Sequence, residues 1–246
     1  MIVVDAGNSR LKWAHPAAGA YAPRGELPSD LATLEAALGE AWAPLARPDR
    51  VVACAVAGGR VREAVDNAAR DLWRRRVDWV RAEARAFGVT NAYPRPDTLG
   101  ADRWVTLIAA HRLHPGPVCI VDCGTAVTLD ALDASGTHLG GLIVPGSRLM
   151  RAALTQRAPG IPAVEGDALE LFADNTAGAV AGGALHATAA LVERFVAAME
   201  GRLGGSVACL LAGGDGAALA PCLRCAYTPA PDLVLAGLAL IGETAA

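Results

Sequence analysis

Apolar and polar positions alternate in two short runs that resemble each other. Ile2-Val3-Val4-Asp5-Ala6-Gly7-Asn8-Ser9-Arg10-Leu11-Lys12-Trp13 is an apolar strand ending in Asp-x-Gly, followed by a second alternating strand. Almost half the chain later, Ile120-Val121-Asp122-Cys123-Gly124-Thr125-Ala126-Val127-Thr128-Leu129-Asp130 repeats that order. The pattern predicts a β-hairpin opening each half of a duplicated protein. In the first half Leu31, Leu34, Leu38 and Trp42 recur at helical spacing, predicting a helix over 29–45. A strand over 50–56, a helix over 59–75 and a strand over 77–80 come next, and a loop over 90–100, rich in Pro and polar groups, leads into a helix over 101–114. The second half reads as strands up to Val144, helices over 145–155 and 174–199, a strand over 207–211, and helices after Asp215 and Asp232. Strands alternating with helices predict an α/β fold with a partly parallel sheet. Leu113-His114-Pro115-Gly116-Pro117 is the natural seam, giving domains 1–115 and 116–246, and the two halves are expected to share one cleft.

Composition narrows the class of protein. Of 246 residues, 53% are hydrophobic and 19% charged, which excludes a disordered or collagen-like chain. With 22 basic and 25 acidic side chains the net charge is −3, so no basic excess marks nucleic acid as a partner. The opening residues lack the basic region of a signal peptide, and the apolar run from Leu233 to Ile241 is too short to span a bilayer. The expectation is a cytoplasmic protein with no membrane partner. Six cysteines (Cys54, Cys119, Cys123, Cys209, Cys222, Cys225) lie mostly in apolar runs and read as buried thiols rather than a disulfide framework. Cys222-Leu223-Arg224-Cys225 has no second Cys or His pair at zinc-ligand spacing.

An Asp delivered by a strand to a Gly-rich turn places a carboxylate beside unobstructed backbone amides, which can cradle phosphate while the Asp holds a hydrated cation. One Asp-x-Gly is also ordinary turn chemistry; two copies in matching contexts favour the phosphate reading. Lys12 is the only lysine in a chain that otherwise uses Arg, which suggests that its compact ammonium is needed in the first hairpin, the alternative being a solvated strand residue. In Leu99-Gly100-Ala101-Asp102-Arg103-Trp104 a loop becomes a helix. Asp102 and Arg103 there are either ordinary first-turn residues or a general base and a cation for an anionic substrate, and spacing alone leaves both readings open. Leu211-Ala212-Gly213-Gly214-Asp215-Gly216 suits either a sharp strand-to-helix turn or close approach of a flat ring or sugar. Arg70 and Arg74 to Arg76 read as a solvated helix end, and the five histidines show no metal-ligand spacing.

Taken together, the Asp5–Lys12 hairpin, Gly100-Ala101-Asp102-Arg103, the Asp122–Asp130 hairpin and Gly140-Gly141-Leu142-Ile143-Val144-Pro145-Gly146 resemble type III pantothenate kinase, in that family's order and over nearly the whole chain. The resemblance implies duplicated ribonuclease-H-like domains of the actin, hexokinase and Hsp70 (ASKHA) superfamily, a homodimer, and ATP-dependent phosphorylation of pantothenate, the first step of coenzyme A synthesis. It further implies Mg²⁺ and a monovalent cation, K⁺ or NH₄⁺. By motif, Asp102 is the general base, and Tyr93, Gly100, Ala101, Asp102 and Arg103 contact pantothenate. Asp5, Ala6, Gly7, Asn8, Ser9, Arg10, Leu11, Lys12 and Thr125 hold ATP, and Asp122 holds the monovalent cation. Thr176 contacts pantothenate from the partner subunit. Ser9 stands where the family often has Thr and keeps the hydroxyl. The alternatives are a regulatory nucleotide-binding protein of the Bvg accessory factor type and another small-molecule kinase of the superfamily.

Overall fold

The computed structural model describes residues 1–16 and 25–244. It divides into two compact units, the first formed by 1–113 with the chain from Asp232 onward, the second by 114–231. In the first unit, β1 (Ile2–Ala6), β2 (Arg10–Ala14), β3 (Gly25–Pro28), β4 (Val51–Ala55) and β5 (Val77–Trp79) form a sheet in the order β3-β2-β1-β4-β5. The β1–β2 and β2–β3 pairs are antiparallel, and β1–β4 and β4–β5 are parallel. Helices α1 (Leu34–Trp42) and α2 (Gly59–Trp73) cover the face reached by Ile2, Val4, Ala6, Leu11 and Trp13. Trp42 stacks on Trp73 at 5.0 Å and meets Trp13 edge-on at 6.1 Å, giving this Ala- and Val-rich core three large rings. The short hairpin β6 (Arg85–Ala86) and β7 (Val89–Thr90) precedes α3 (Ala101–Leu113).

The second unit repeats the topology. Strands β8 (Val118–Cys123), β9 (Ala126–Leu132), β10 (His138–Pro145), β11 (Ala208–Ala212) and β12 (Thr228–Pro229) take the order β10-β9-β8-β11-β12, with the same parallel and antiparallel senses at corresponding positions. Helix α4 (Ser147–Arg157) follows β10. The long α5 (Thr176–Leu203) lays Ala189, Val192, Val196 and Met199 against Cys119, Val121 and Cys123 of the sheet. Asn175 caps α5 by accepting a hydrogen bond from the Gly178 amide at 2.8 Å. Helix α6 (Gly216–Leu219) closes the turn after β11, and α7 (Leu233–Thr244) ends the described chain. No helix among the described residues is long and apolar enough to cross a membrane.

Two expectations need correction, and four short strands went unread. Helix α1 begins at Leu34 rather than Ser29, because residues 29–33 form turns and Ser29 serves the first hairpin, as described below. The edge strands β3 and β12 and the β6–β7 hairpin were not read from the sequence; each is four residues or fewer, too short for alternation to register. The division at 115/116 gave the last helix to the second half, whereas α7 packs on α3, β1 and β4 of the first unit. Gly237 makes that packing possible: a Cβ there would stand 2.4 Å from the carbonyl oxygen of Val105 in α3. Gly237→Ala should therefore wedge α7 away from α3 and cost about 1–3 kcal/mol, the usual range for overpacking a core. Urea denaturation checks this as a lower midpoint with an unchanged slope.

Candidate active site

In the first unit the site is built at the carboxyl end of β1. Asp5 stands opposite Lys12 on β2 and Cys54 on β4, so the three side chains share one face of the sheet. The Gly7 amide donates to Arg10 O at 3.1 Å to close the turn, and a Cβ on Gly7 would lie 2.9 Å from that same oxygen. Ser29 fixes the turn from outside. Its hydroxyl donates to Gly7 O at 2.6 Å and its amide to Ser9 O at 3.0 Å, while Arg60 donates to its carbonyl. Asn8 and Ser9 are exposed at the tip. Ala6 and Leu11 are buried core residues, so contact with a ligand could come only through their main chain. Arg10 is turned toward Glu26 of β3, with which it forms an ion pair.

The Cys54 thiol donates to Asp5 Oδ1 at 3.8 Å. Burial pushes this thiol up, and the nearby carboxylates of Asp5 and then Asp102 push it further. Two acids from separate elements thus act on one buried thiol. Asp102 lies in the first turn of α3 and its Oδ1 accepts from the Arg103 amide at 2.7 Å. Gly100 leaves room for that carboxylate, since a Cβ there would lie 2.6 Å from Asp102 Oδ1. Arg103, only 5% exposed, donates to the Tyr93 hydroxyl at 3.0 Å. The Asn91 side chain orders the loop bearing Tyr93, accepting from the Tyr93 amide and donating to Glu83 O and Pro96 O. Tyr93 and Gly100 to Arg103 are therefore assembled in one place. Asp232, just before α7, is an acid the sequence reading did not single out. Burial raises its pKa, and the Lys12 ammonium pulls the other way.

The second unit has a matching hairpin with closer packing. Gly124 N donates to Ala126 O at 3.0 Å, leaving Thr125 exposed at the tip, and Asp122 stands opposite Thr128. Gly146 N donates to Thr125 O at 2.9 Å, and a Cβ on Gly146 would lie 2.3 Å from Gly124 O. From the other side Gly213 adopts φ +82°, and a Cβ there would lie 2.4 Å from Asp122 Oδ1 and 2.3 Å from Cys123 O. Only glycine meets both demands at 213. Asp215 N donates to Cys123 O at 3.0 Å, while the Asp215 carboxylate is gripped through both oxygens by Arg148. That pairing raises the Arg148 pKa. Burial, aided by Asp122 and Asp215, pushes the Cys123 thiol up to about 12. Ser29, Arg60 and Arg148 were missed as site residues because their partners lie far away in sequence. Asp215 was visible in its Gly-Gly-Asp-Gly setting, but not its role as a tie.

Thr176 sits elsewhere in the second unit, exposed at the start of α5, in an open groove of about 670 Å³ lined by Met150, Leu154, Asp174, Ala179 and Gly183. Among the described residues no three His, Cys, Asp or Glu side chains form a metal cluster. The oxygen donors of Asp5 suit Mg²⁺, which keeps several waters and is commonly held through one or two carboxylates and substrate phosphates. Asp122, in a niche that a Cβ on Gly213 would fill, offers hard oxygen to a monovalent cation.

The model of the type III pantothenate kinase family matches residues 1–198. The chain belongs to this family. Type III pantothenate kinases from Nitrosococcus oceani, Laribacter hongkongensis and Methylibium petroleiphilum are 36%, 39% and 40% identical to it. These alignments cover 99%, 97% and 98% of this chain and 94%, 97% and 97% of the relatives. Among solved structures, a Campylobacter jejuni protein named for the Baf family of transcriptional activators superposes with a TM-score of 0.63 at 20% identity, covering 100% of this chain and 98% of that one. MreB 5 of Spiroplasma citri gives 0.53 at 12% identity, covering 99% and 96%. At such identities the structures bear on the fold alone, which they share with this chain over nearly its whole length.

The geometry at Gly100 gives a test. In Gly100→Ala the Asp102 carboxylate must leave its niche, and with Asp102 as the general base that the resemblance implies, turnover should drop at least about tenfold. The denaturation midpoint should stay near that of the parent. Steady-state kinetics alongside a melt separate the two effects.

Proposed function

We propose that this chain transfers the γ-phosphoryl group of ATP to the primary hydroxyl of pantothenate. The observation that carries the reading is the assembly of Asp102, Arg103 and Tyr93 in the same unit as the Asp5–Lys12 phosphate turn, in a member of the type III pantothenate kinase family. Asp102 accepts the proton of the attacking hydroxyl, while Arg103 and the Tyr93 hydroxyl orient the anionic acceptor. Lys12 and the amides of the Gly7 turn hold phosphate oxygens and offset the charge that builds there during transfer. Asp5 would hold Mg²⁺ and Asp122 a monovalent cation; when bound, these ions neutralise negative charge on the phosphates. The Gly213–Gly216 turn would receive the adenosine. No phosphoenzyme is needed.

The working form we propose is a homodimer with Thr176 reaching the partner's pantothenate. Exposed Leu149, Leu154, Leu169, Leu171 and Phe172, the last 91% exposed, gather on α4 and the segment before α5 and support a covered face there. The cytoplasm, where coenzyme A is made, is the matching compartment.

A coupled assay with ATP and a panel of acceptors should show pantothenate as the preferred one. Asp102→Asn, which keeps volume but removes the proton acceptor, should lower kcat by roughly 10² or more with little change in ATP binding. Near-normal turnover would reduce Asp102 to an ordinary helix-terminal carboxylate. The cation assignment predicts full activity in K⁺ or NH₄⁺ and collapse in Na⁺ at equal ionic strength, and Asp122→Asn should remove that distinction; equal rates in all three salts for the parent would refute it.

A further inference from the structure

Helix α4 borders a groove of about 410 Å³ in the second unit. Arg148, Arg151 and Ala152 line one side, at the i, i+3 and i+4 spacing that keeps them on one face of the helix, and the segment 163–166 lines the other. Two features of this groove point to a ligand. Arg151 is only 7% exposed and donates through Nη1 to Gly166 O and, at 3.2 Å, to Asp167 Oδ1, yet its Nε is buried with no partner among the described residues. A buried N–H left unpaired carries a desolvation cost that an arriving acceptor relieves. Arg148 is the second feature. Asp215 grips its guanidinium through Nε and Nη2, a fork geometry that fixes the plane, while the side chain stays 68% exposed.

Charge decides which class of ligand fits. Asp215, Asp167 and Glu165 stand beside the two guanidiniums, so the groove has no positive excess to draw in a free anion. Ala152, Ala163 and Val164 add apolar wall. A flat, uncharged ring that carries acceptor nitrogens meets all of these conditions at once. We propose that the α4 groove takes the purine base of the nucleotide, with the fixed Arg148 plane stacked on its face and Arg151 donating to a ring nitrogen.

The neighbouring contacts agree with this placement. Gly146 N donates to Thr125 O just before α4, and Asp215 N donates to Cys123 O, so the groove and the Gly213–Asp215 turn are anchored on one hairpin. Thr125 of that hairpin is the residue that the family resemblance gives to ATP. Gly214 lies in the turn, and a Cβ there would meet nothing within 4 Å, which leaves room for a sugar beside it. Recognition of the base here rests on the ATP-dependent reading above and adds to it the side chains that would hold the base.

The test compares binding of ADP with that of inorganic tripolyphosphate, which has the phosphate charge but no base, by calorimetric titration of the full chain. Ala152→Phe, at an exposed position, fills the groove and should weaken ADP at least about tenfold, the scale of a lost base stack, with tripolyphosphate unchanged. Arg148→Lys keeps the charge without the plane, Arg151→Met removes the donors, and each should weaken ADP severalfold with the same selectivity. KM for ATP should rise in Ala152→Phe while KM for pantothenate does not. In the unmutated protein, hydrogen exchange over 148–156 and 163–166 should slow with ADP and not with tripolyphosphate, a measurement that stands even if Arg151→Met fails to fold. Parental ADP affinity in Ala152→Phe, equal weakening of ADP and tripolyphosphate, or no ADP-dependent protection of the groove would overturn the proposal while leaving pantothenate phosphorylation intact. Groove protection by ADP in a protein that phosphorylates no pantothenate would instead overturn the functional reading and support the base site.

Discussion

A central strand hydrogen-bonded on both sides and covered by helices can carry a charged side chain without a buried partner, such as the His138 that meets Asp130, only near its end, where solvent or a ligand can reach it. Both β1 and β8 obey this constraint. Each is apolar until its last turn-proximal residues, delivers one carboxylate, Asp5 or Asp122, and then enters a glycine turn. The parallel neighbours β4 and β11 end at the same level, so Cys54 and Gly213 also arrive beside those carboxylates. Ligands of open α/β sheets collect at such carboxyl ends, where the polar groups a core cannot hold are concentrated.

The two copies meet the constraint differently. In the first unit the turn is pinned by hydrogen bonds from Ser29, and acidic groups from the covering helices, Asp102 on α3 and Asp232 before α7, add to the face that carries Lys12. One ammonium among several carboxylates is an arrangement that can accept a proton and still hold a phosphate oxygen. In the second unit the turn is squeezed between Gly146 and Gly213, and the second acid that bears on Cys123 there, Asp215, is tied up by the Arg148 guanidinium. That suits a rigid cradle for an anion more than proton transfer. Duplication supplied two similar hairpins, and their local contacts differ.

Small residues run through this molecule with a consistent effect. Gly237 lets α7 lie on α3, Gly100 lets a carboxylate sit over the start of a helix, and Ala and Cys allow β8, β11 and α5 to close together. Strand register then sets Cys119 of β8 beside Cys209 of β11.

Local patterns determined much of this protein. Strand alternation with Asp-x-Gly fixed the two hairpins and the duplication, because both the pattern and the turn chemistry are contained in a dozen residues. The same holds for α2, α3 and α5, whose helical spacing runs long enough to be unambiguous. Gly100 to Arg103 showed their place at a helix start, but whether Asp102 was a cap or part of a site depended on Cys54, Asp5 and Tyr93, which other elements bring. Tertiary structure alone decided that α7 joins the first unit, that Ser29 leaves the helix pattern to pin a turn, and that Arg148 grips Asp215. Each is a pairing between segments far apart in sequence, whose energy comes from burial and hydrogen-bond geometry available only once both segments have folded.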